Sequence, residues 1–213
     1  LGNMYYTGNN AITPITSSVT GAGFKLSVDE TITPITVNDE KYYVWSDADG
    51  TEHYFSYQTF MLNGTLCGGL MDEDGLGLSL SVQQSGETIT GYTIYDDTGN
   101  QKHFNAAGFL TKIIDSNGNA RVFTRNSNNR VTYISFKPNG STQFTQLSFT
   151  YSNGRLSNIQ NLQTGMYALF SYTLSSSGIT YLSKIQYLYG SNTSTHDVTF
   201  EYDANGKLIL VRD

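Results

Sequence analysis

The chain has 213 residues, enough for one large all-β domain or two small ones. Only 38% of the residues are hydrophobic and 14% charged, with 16 Tyr and 11 Phe against one Trp, so core volume must come from half-buried rings on sheet faces and long helices are disfavoured. A net charge of −6 argues against binding a phosphate backbone, and the lone Cys67 excludes an internal disulfide and every multi-cysteine metal site.

The first 22 residues are polar and carry Ile12-Thr13-Pro14-Ile15-Thr16, whose five letters recur at Ile32-Thr33-Pro34-Ile35-Thr36. A central Pro in a β-branched run fits an edge strand or a strand start. Between the two, Gly23 to Val28 alternates and reads as a strand. Lys41 to Trp45, the turn Asp47-Ala48-Asp49-Gly50 and the arm Thr51 to Phe55 predict a hairpin with aromatic arms. Residues 58 to 75 are dense in Gly, which predicts loop and turn, with at most a short helical turn near 58 to 62. Leu76, Leu78, Leu80 and Val82 then alternate as one face of a half-buried strand, and Thr88 to Tyr95 alternates again.

From Tyr95 onward a repeat is explicit. An apolar residue followed three positions later by Ile or Val recurs as Leu110/Ile113, Val131/Ile134, Leu156/Ile159, Leu182/Ile185 and Leu208/Val211, in steps of 21, 25, 26 and 26 residues. An aromatic strand precedes each pair, carrying Phe104, Phe123, Phe149/Tyr151, Phe170/Tyr172 and Phe200/Tyr202. A period of that size is two strands and two turns. Asn-Gly and Asp-x-x-Gly punctuation, with β-branched and aromatic residues between, rejects a helix for the three-residue offset. The offset instead predicts a bulge, or a change of buried face, inside a long strand. The fold class expected is all-β: a repeating antiparallel β-meander in a curved sheet, with few or no helices. Residues 1–94 form an N-terminal β segment preceding the repeats, and 95–213 form the hairpin array.

The last unit carries a resemblance. Tyr202-Asp203-Ala204-Asn205-Gly206-Lys207-Leu208, closing on Val211 and Asp213, resembles a YD repeat of the Rhs/YD-repeat family. Its turn, Ala204-Asn205-Gly206, offers the positive φ of a tight hairpin at Asn-Gly. Tyr95-Asp96 through Gly108-Phe109-Leu110-Thr111-Lys112-Ile113-Ile114-Asp115 resembles another repeat. Gly23-Phe24-Lys25-Leu26 and Asp49 to Phe55 are similar to the segment that precedes the repeats in Gram-positive members. The resemblance implies a large exported bacterial polypeptide whose repeats form a β-strip spiralling into a hollow shell. That shell encloses a C-terminal toxin in some members and belongs to wall-associated surface proteins in others. The family's aspartate-dependent self-cleavage motif has no counterpart here, so no residue inherits that role.

The chemistry-bearing residues read as structural. Asp47-Ala48-Asp49-Gly50 and Asp72-Glu73-Asp74-Gly75 resemble parts of a calcium loop, but Trp45 and Leu70 stand where such a loop needs its first acid. Turn chemistry explains both. His53 and His103 each precede an aromatic in an equivalent arm, and neither these nor His196 shows metal-ligand spacing. Cys67 beside Gly68-Gly69 is expected to act as a small apolar residue, not a nucleophile. Asp72, Glu73, Asp74, Glu87, Asp96 and Asp97 are the acids that could make a hydrolase pair, and nearly all fall at predicted turns. No residue is therefore assigned a catalytic, cofactor-binding or metal-binding role, no cofactor is expected, and the chain is read as no enzyme.

The function expected is a structural section of a secreted or cell-surface, cell-wall-associated bacterial YD-repeat protein, working by enclosure or display. The alternative is an adhesin-like module binding carbohydrate or protein through exposed Tyr-rich strands. The partners expected are the rest of a longer parent polypeptide, with further repeats and a toxin or wall anchor, a glycan or host protein, and a second copy through sheet edges. The start at Leu1-Gly2 and the stop in mid-pattern at Arg212-Asp213 point to such a parent. Nucleic acid is not expected, nor is membrane insertion, because no apolar run approaches the roughly 18 residues of a membrane span.

Overall fold

The structure, a computed structural model, describes residues 4–6, 19–189 and 193–213. The repeat of Ile12 to Thr16 lies outside the described residues. Among those described there is no helix. Two short strands, β1 (Met4–Tyr6) and β2 (Phe24–Leu26), pair with each other. The other strands, β3 to β18, form one antiparallel sheet of 16 in which neighbours in sequence are neighbours in space. The chain divides into two compact units. One takes in the described residues up to Ser27, Arg130–Ile134 and Thr145–Asp213; the other takes in Val28–Asn129 and Ser135–Phe144.

The unit beginning at Val28 contains β3 (Thr31–Val37), β4 (Glu40–Ser46), β5 (Glu52–Leu62), β6 (Thr65–Asp72), β7 (Ser79–Ser85), β8 (Thr88–Tyr95), β9 (Gln101–Asn105), β10 (Leu110–Ile114) and β11 (Ala120–Arg125). Pro34 sits in β3, at the end of the strand order, where a residue without an N–H leaves no ladder bond unmade on the outer side. The start of β3 returns to the start of β10. The Ile32 N–H donates to the Gly108 carbonyl at 2.8 Å, and the Leu110 N–H donates to the Glu30 carbonyl at 3.2 Å. This meander thus folds over its own core, where Phe55, Leu110, Ile32, Tyr92, Ile94 and Phe104 are buried. Gly108 permits the return: its φ is 81°, and a Cβ there would collide with the Ile32 carbonyl oxygen.

The other unit contains the start of β12 (Val131–Lys137), most of β13 (Phe144–Ser152), and β14 (Arg155–Asn161), β15 (Met166–Leu174), β16 (Thr180–Tyr189), β17 (Thr193–Tyr202) and β18 (Leu208–Arg212). Its core is built around an N-terminal residue. Phe24 clusters with Ala168, Leu182 and Ile185, and its ring meets Phe200 edge-on at 5.3 Å. The flanking backbone is tied in: Ala22 N–H donates to the Thr180 carbonyl, and Leu156 N–H to the Val19 carbonyl. All three residues of β2 are buried, so it lacks the alternation expected of a half-exposed strand.

The three-residue offset has its predicted cause. Leu156 and Ile159 stand opposite Tyr151 and Phe149, Leu182 and Ile185 opposite Tyr172 and Phe170, and Leu208 and Val211 opposite Tyr202 and Phe200. The aromatics are two residues apart and the aliphatics three, so one residue is extra: Ser157, Ser183 or Ile209, each at a register shift. The same shift lies between Leu110 and Lys112, with Thr111 extra. Without the extra residue the second aliphatic of each pair would point to the opposite face. Thr111 Oγ1 donates to the His103 carbonyl and Ser157 Oγ to the Thr150 carbonyl, which satisfies acceptors that the bulge leaves open.

Two stretches differ from expectation. Residues 58 to 75 are mostly a hairpin, β5 and β6, with no helical turn. Gly68 and Gly69 are strand residues opposite Thr59 and Gln58, and Gly68 makes room for the Tyr57 phenol that lies over it. The alternation from Leu76 to Val82 becomes strand only at Ser79, because the Asp72 carboxylate holds the N–H groups of Leu76 and Leu78 at 2.6 and 2.5 Å.

Candidate functional site

The three histidines and several of the candidate acids are engaged by neighbours; most of the acids lie at turns and loops, and His103, His196 and Cys67 lie within strands. Asp47 caps the β4–β5 turn: its Oδ1 accepts from the N–H groups of Asp49, Gly50 and Thr51. Its Oδ2 reaches His53 Nε2 at 3.2 Å, and Asp74 Oδ2 reaches His53 Nδ1 at 2.8 Å. Trp45, opposite His53 in the ladder, lies against it with ring centroids 4.8 Å apart. Burial pulls the His53 pKa down, but the hydrogen bonds to Asp74 and then Asp47 outweigh it and hold the pKa above 6.5. An acid–His–acid bridge thus pins the β4–β5 turn to the β6–β7 loop.

His103 occupies the matching place on β9 with the opposite electrostatics. Its Nδ1 meets Thr93 Oγ1 at 3.1 Å and its Nε2 meets Gln101 Oε1 at 3.0 Å. Burial, then the charge of Lys112, lowers its pKa. His196 bonds Asp213 and stacks on Tyr187. The three histidines therefore have separate partners. Among the described residues no group of three or more His, Cys, Asp or Glu is placed to hold a metal ion.

Of the candidate acids, Asp72, Glu73 and Asp74 are consecutive at the end of β6 and in the loop that follows, and the others lie in two further turns. Asp72 is buried and caps the loop to β7, Asp74 serves His53, and Glu87 lies in the β7–β8 turn. Asp96 accepts from the Asn100 and Thr98 side chains and their N–H groups, which lowers its pKa to about 2. Asp97 is exposed in the same turn. Cys67 faces Phe60 across the β5–β6 hairpin. A shallow cleft of about 240 Å³ lined by Trp45, Leu78, Ile94 and Ile113 has Asp96 as the one carboxylate among its lining residues.

What does recur is a backbone hook. The first aliphatic residue of successive pairs, Leu110, Val131, Leu156 and Leu182, is at most 1% exposed. The carbonyl of each accepts a bond from the unit that follows. Arg125 Nε donates to Leu110 at 2.7 Å, and the Tyr151, Tyr172 and Tyr202 hydroxyls donate to Val131, Leu156 and Leu182 at 2.7, 2.6 and 2.7 Å. Burial raises the Tyr172 pKa well above its ordinary value, which keeps the phenol a donor. The sequence marks these tyrosines by their place in each aromatic strand, but nothing in it announces that their hydroxyls reach a carbonyl.

Sequence inspection also missed the ion pair of Glu30. That carboxylate is 3% exposed and accepts from Trp45 Nε1 at 2.9 Å and Lys102 Nζ at 2.7 Å. Lys102 lies over the Trp45 ring at 4.5 Å. Such a pair joins residues far apart in sequence, with no local pattern to mark it.

No protein-family model matches the chain, and no curated protein matches it. Solved structures do. The chain is 15% identical to a chain in the crystal structure of TcdB2-TccC3 without its hypervariable C-terminal region, at a TM-score of 0.48 over 89% of this chain and 11% of that one. For the crystal structure of TcdB2-TccC3 the values are 16% identity, 0.44, 89% and 12%. For the Tc holotoxin pore of Photorhabdus luminescens they are 16%, 0.43, 83% and 11%. The chain spans about a tenth of the length of the chains it matches.

Proposed function

We propose that this chain is a non-catalytic structural section of a larger secreted or cell-surface bacterial protein of YD-repeat type, a stretch of sheet used for enclosure or display. The observation that carries the reading is the hook. The same device joins successive units at Leu110, Val131, Leu156 and Leu182. Architectures that repeat one supersecondary unit grow by stacking neighbours, and their work is done by extent. His53 and several of the acids hold turns and loops together, and His103 bonds within the sheet, which supports a chain without catalysis of its own. The parent polypeptide supplies further repeats and a cargo or wall anchor.

Fractionation of the source cells, probed with an antibody to this chain, tests the reading. The antigen is expected in the medium or on the wall as part of a much longer polypeptide. A short cytosolic product would overturn it. A glycan array on the purified chain tests the adhesin alternative, and no binding is expected. Binding abolished by substituting the exposed Tyr133 or Tyr189 would replace enclosure with recognition.

A further inference from the structure

The sequence holds five Asn-Gly pairs, beginning at Asn63, Asn117, Asn139, Asn153 and Asn205. Such a pair can react with itself, because Gly has no side chain to block the approach to its nitrogen. The backbone nitrogen of the Gly attacks the side-chain carbonyl carbon of the Asn and forms a new N–C bond. The carboxamide nitrogen leaves as ammonia, taking the proton that the Gly nitrogen gives up. Water then opens the cyclic imide at one of its two carbonyls, which yields Asp or isoaspartate. No oxidant, reductant or enzyme is consumed. The attack needs the Gly N–H and the Asn carboxamide to be free of other bonds.

The fold divides the pairs. In Asp115-Ser116-Asn117-Gly118 and Asp203-Ala204-Asn205-Gly206 the Gly is the fourth residue of its turn and donates the turn's own hydrogen bond, to the Asp115 carbonyl at 2.9 Å and the Asp203 carbonyl at 3.0 Å. Gly206 is also buried against the Tyr181 phenol. The turn at Asn139 is closed by Ser141, whose N–H donates to the Pro138 carbonyl, but the Asn139 carboxamide is held: its Nδ2 donates to the Asn117 carbonyl at 2.8 Å. Asn63 and Asn153 escape both restraints. Each opens a two-residue hairpin turn, Asn63-Gly64 between paired Leu62 and Thr65, and Asn153-Gly154 between paired Ser152 and Arg155. The φ angles, 50° and 79° in the first and 48° and 79° in the second, are those of a type I′ turn. The residue after the Gly donates the closing bond of such a turn, so the Gly N–H is left unspent. All four residues are exposed, and neither their carboxamides nor their Gly N–H groups have a partner among the described residues.

We infer that Asn63 and Asn153 are sites of spontaneous deamidation, and that the fold protects the other three pairs. Each conversion adds one negative charge to a chain that is already acidic. Isoaspartate also adds a methylene to the backbone of a turn whose length sets the register of β5 with β6, or of β13 with β14. At Asn63 the new carboxylate stands in a stretch, Tyr54 to Met71, that has no Asp, Glu, Lys or Arg. Copies of different age therefore differ in charge and in the fit of two hairpins. This inference does not depend on the enclosure reading.

The test is peptide mapping by mass spectrometry after the full chain is incubated at mildly alkaline pH, once folded and once in urea. In the folded chain, conversion at Asn63 and Asn153 is expected to run about tenfold faster than at Asn117, Asn139 and Asn205, which must first break a hydrogen bond. In urea, where every turn is open, the five rates are expected to draw level. Incubation in heavy-oxygen water is expected to leave one heavy oxygen at each converted residue, the mark of imide opening by water. Equal rates in the folded chain would overturn the inference, as would a fastest site among Asn117, Asn139 and Asn205. A ranking unchanged in urea would also overturn it, because flanking sequence and not the turn would then set the rates.

Discussion

At the scale of single residues, the clearest consequence concerns the hook. Tyr202→Phe removes one hydroxyl and leaves the Leu182 carbonyl without its donor inside a packed unit. An unsatisfied buried acceptor costs about 1–3 kcal/mol, so a loss of about 1–2 kcal/mol in urea unfolding is expected. A loss near zero would mean that water replaces the phenol. The two half-buried histidines, His53 and His103, yield a paired prediction of opposite sign. His53 has a folded pKa above 6.5, so its contribution is fully present below 6.5 and is lost as pH rises through the raised value. His103 has a folded pKa below 6.5, so the fold resists its protonation, and stability is lost as pH falls through 6.5 toward the depressed value. Unfolding midpoints measured from pH 5 to 8.5 are expected to rise relative to wild type at the alkaline end in His53→Gln, and at the acid end in His103→Gln. Identical pH profiles for the two variants would refute both assignments.

At the scale of elements, much of the repeat was legible because its cause is local. An aromatic pair spaced by two facing an aliphatic pair spaced by three requires one extra residue, and the bulges stand where that count demands. Asp-x-x-Gly turns were legible for the same reason, since Asp96, Asp115 and Asp203 each cap backbone N–H groups within four residues. The last turn differs in detail: in Asn205-Gly206 the positive φ falls on Gly206 alone, at 78°, while Asp203 anchors the loop. The β5–β6 hairpin was misread because Gly is ambiguous in sequence. Gly99 serves a turn, Gly68 serves a ring, and Gly108 serves a neighbouring backbone. Substitution separates these roles. Gly99→Ala meets open space but keeps a φ of 89°, and about 1 kcal/mol of strain is expected. Gly108→Ala has a similar φ and also drives a methyl group into the Ile32 carbonyl, so it is expected to cost at least about 3 kcal/mol. Equal costs in thermal or urea unfolding would show that the return of β3 to β10 is not held at that point.

At the scale of the whole chain, the least legible feature was where the first described residues go. Gly23 to Val28 carries the alternation of an ordinary strand, yet Phe24 belongs to the core of β15–β18, more than 140 residues away in sequence. No local period encodes a contact of that separation. The unit depends on it: Phe24 is 4% exposed and joins Leu182, Ile185 and Phe200, each from the repeating part. Truncating a buried Phe to Ala typically costs about 3–5 kcal/mol, a large fraction of what holds a small sheet together. Phe24→Ala is therefore expected to raise amide exchange throughout β14 to β18, with the Leu182 and Ile185 amides losing most protection. The amides of β8 to β10 serve as the internal reference and are expected to keep their rates, because the cluster that Phe24 joins is made of residues of β15 to β18. Protection lost equally in both sets would refute the assignment of Phe24 to one core. Protection kept in both would mean that the β14–β18 strands stand without it.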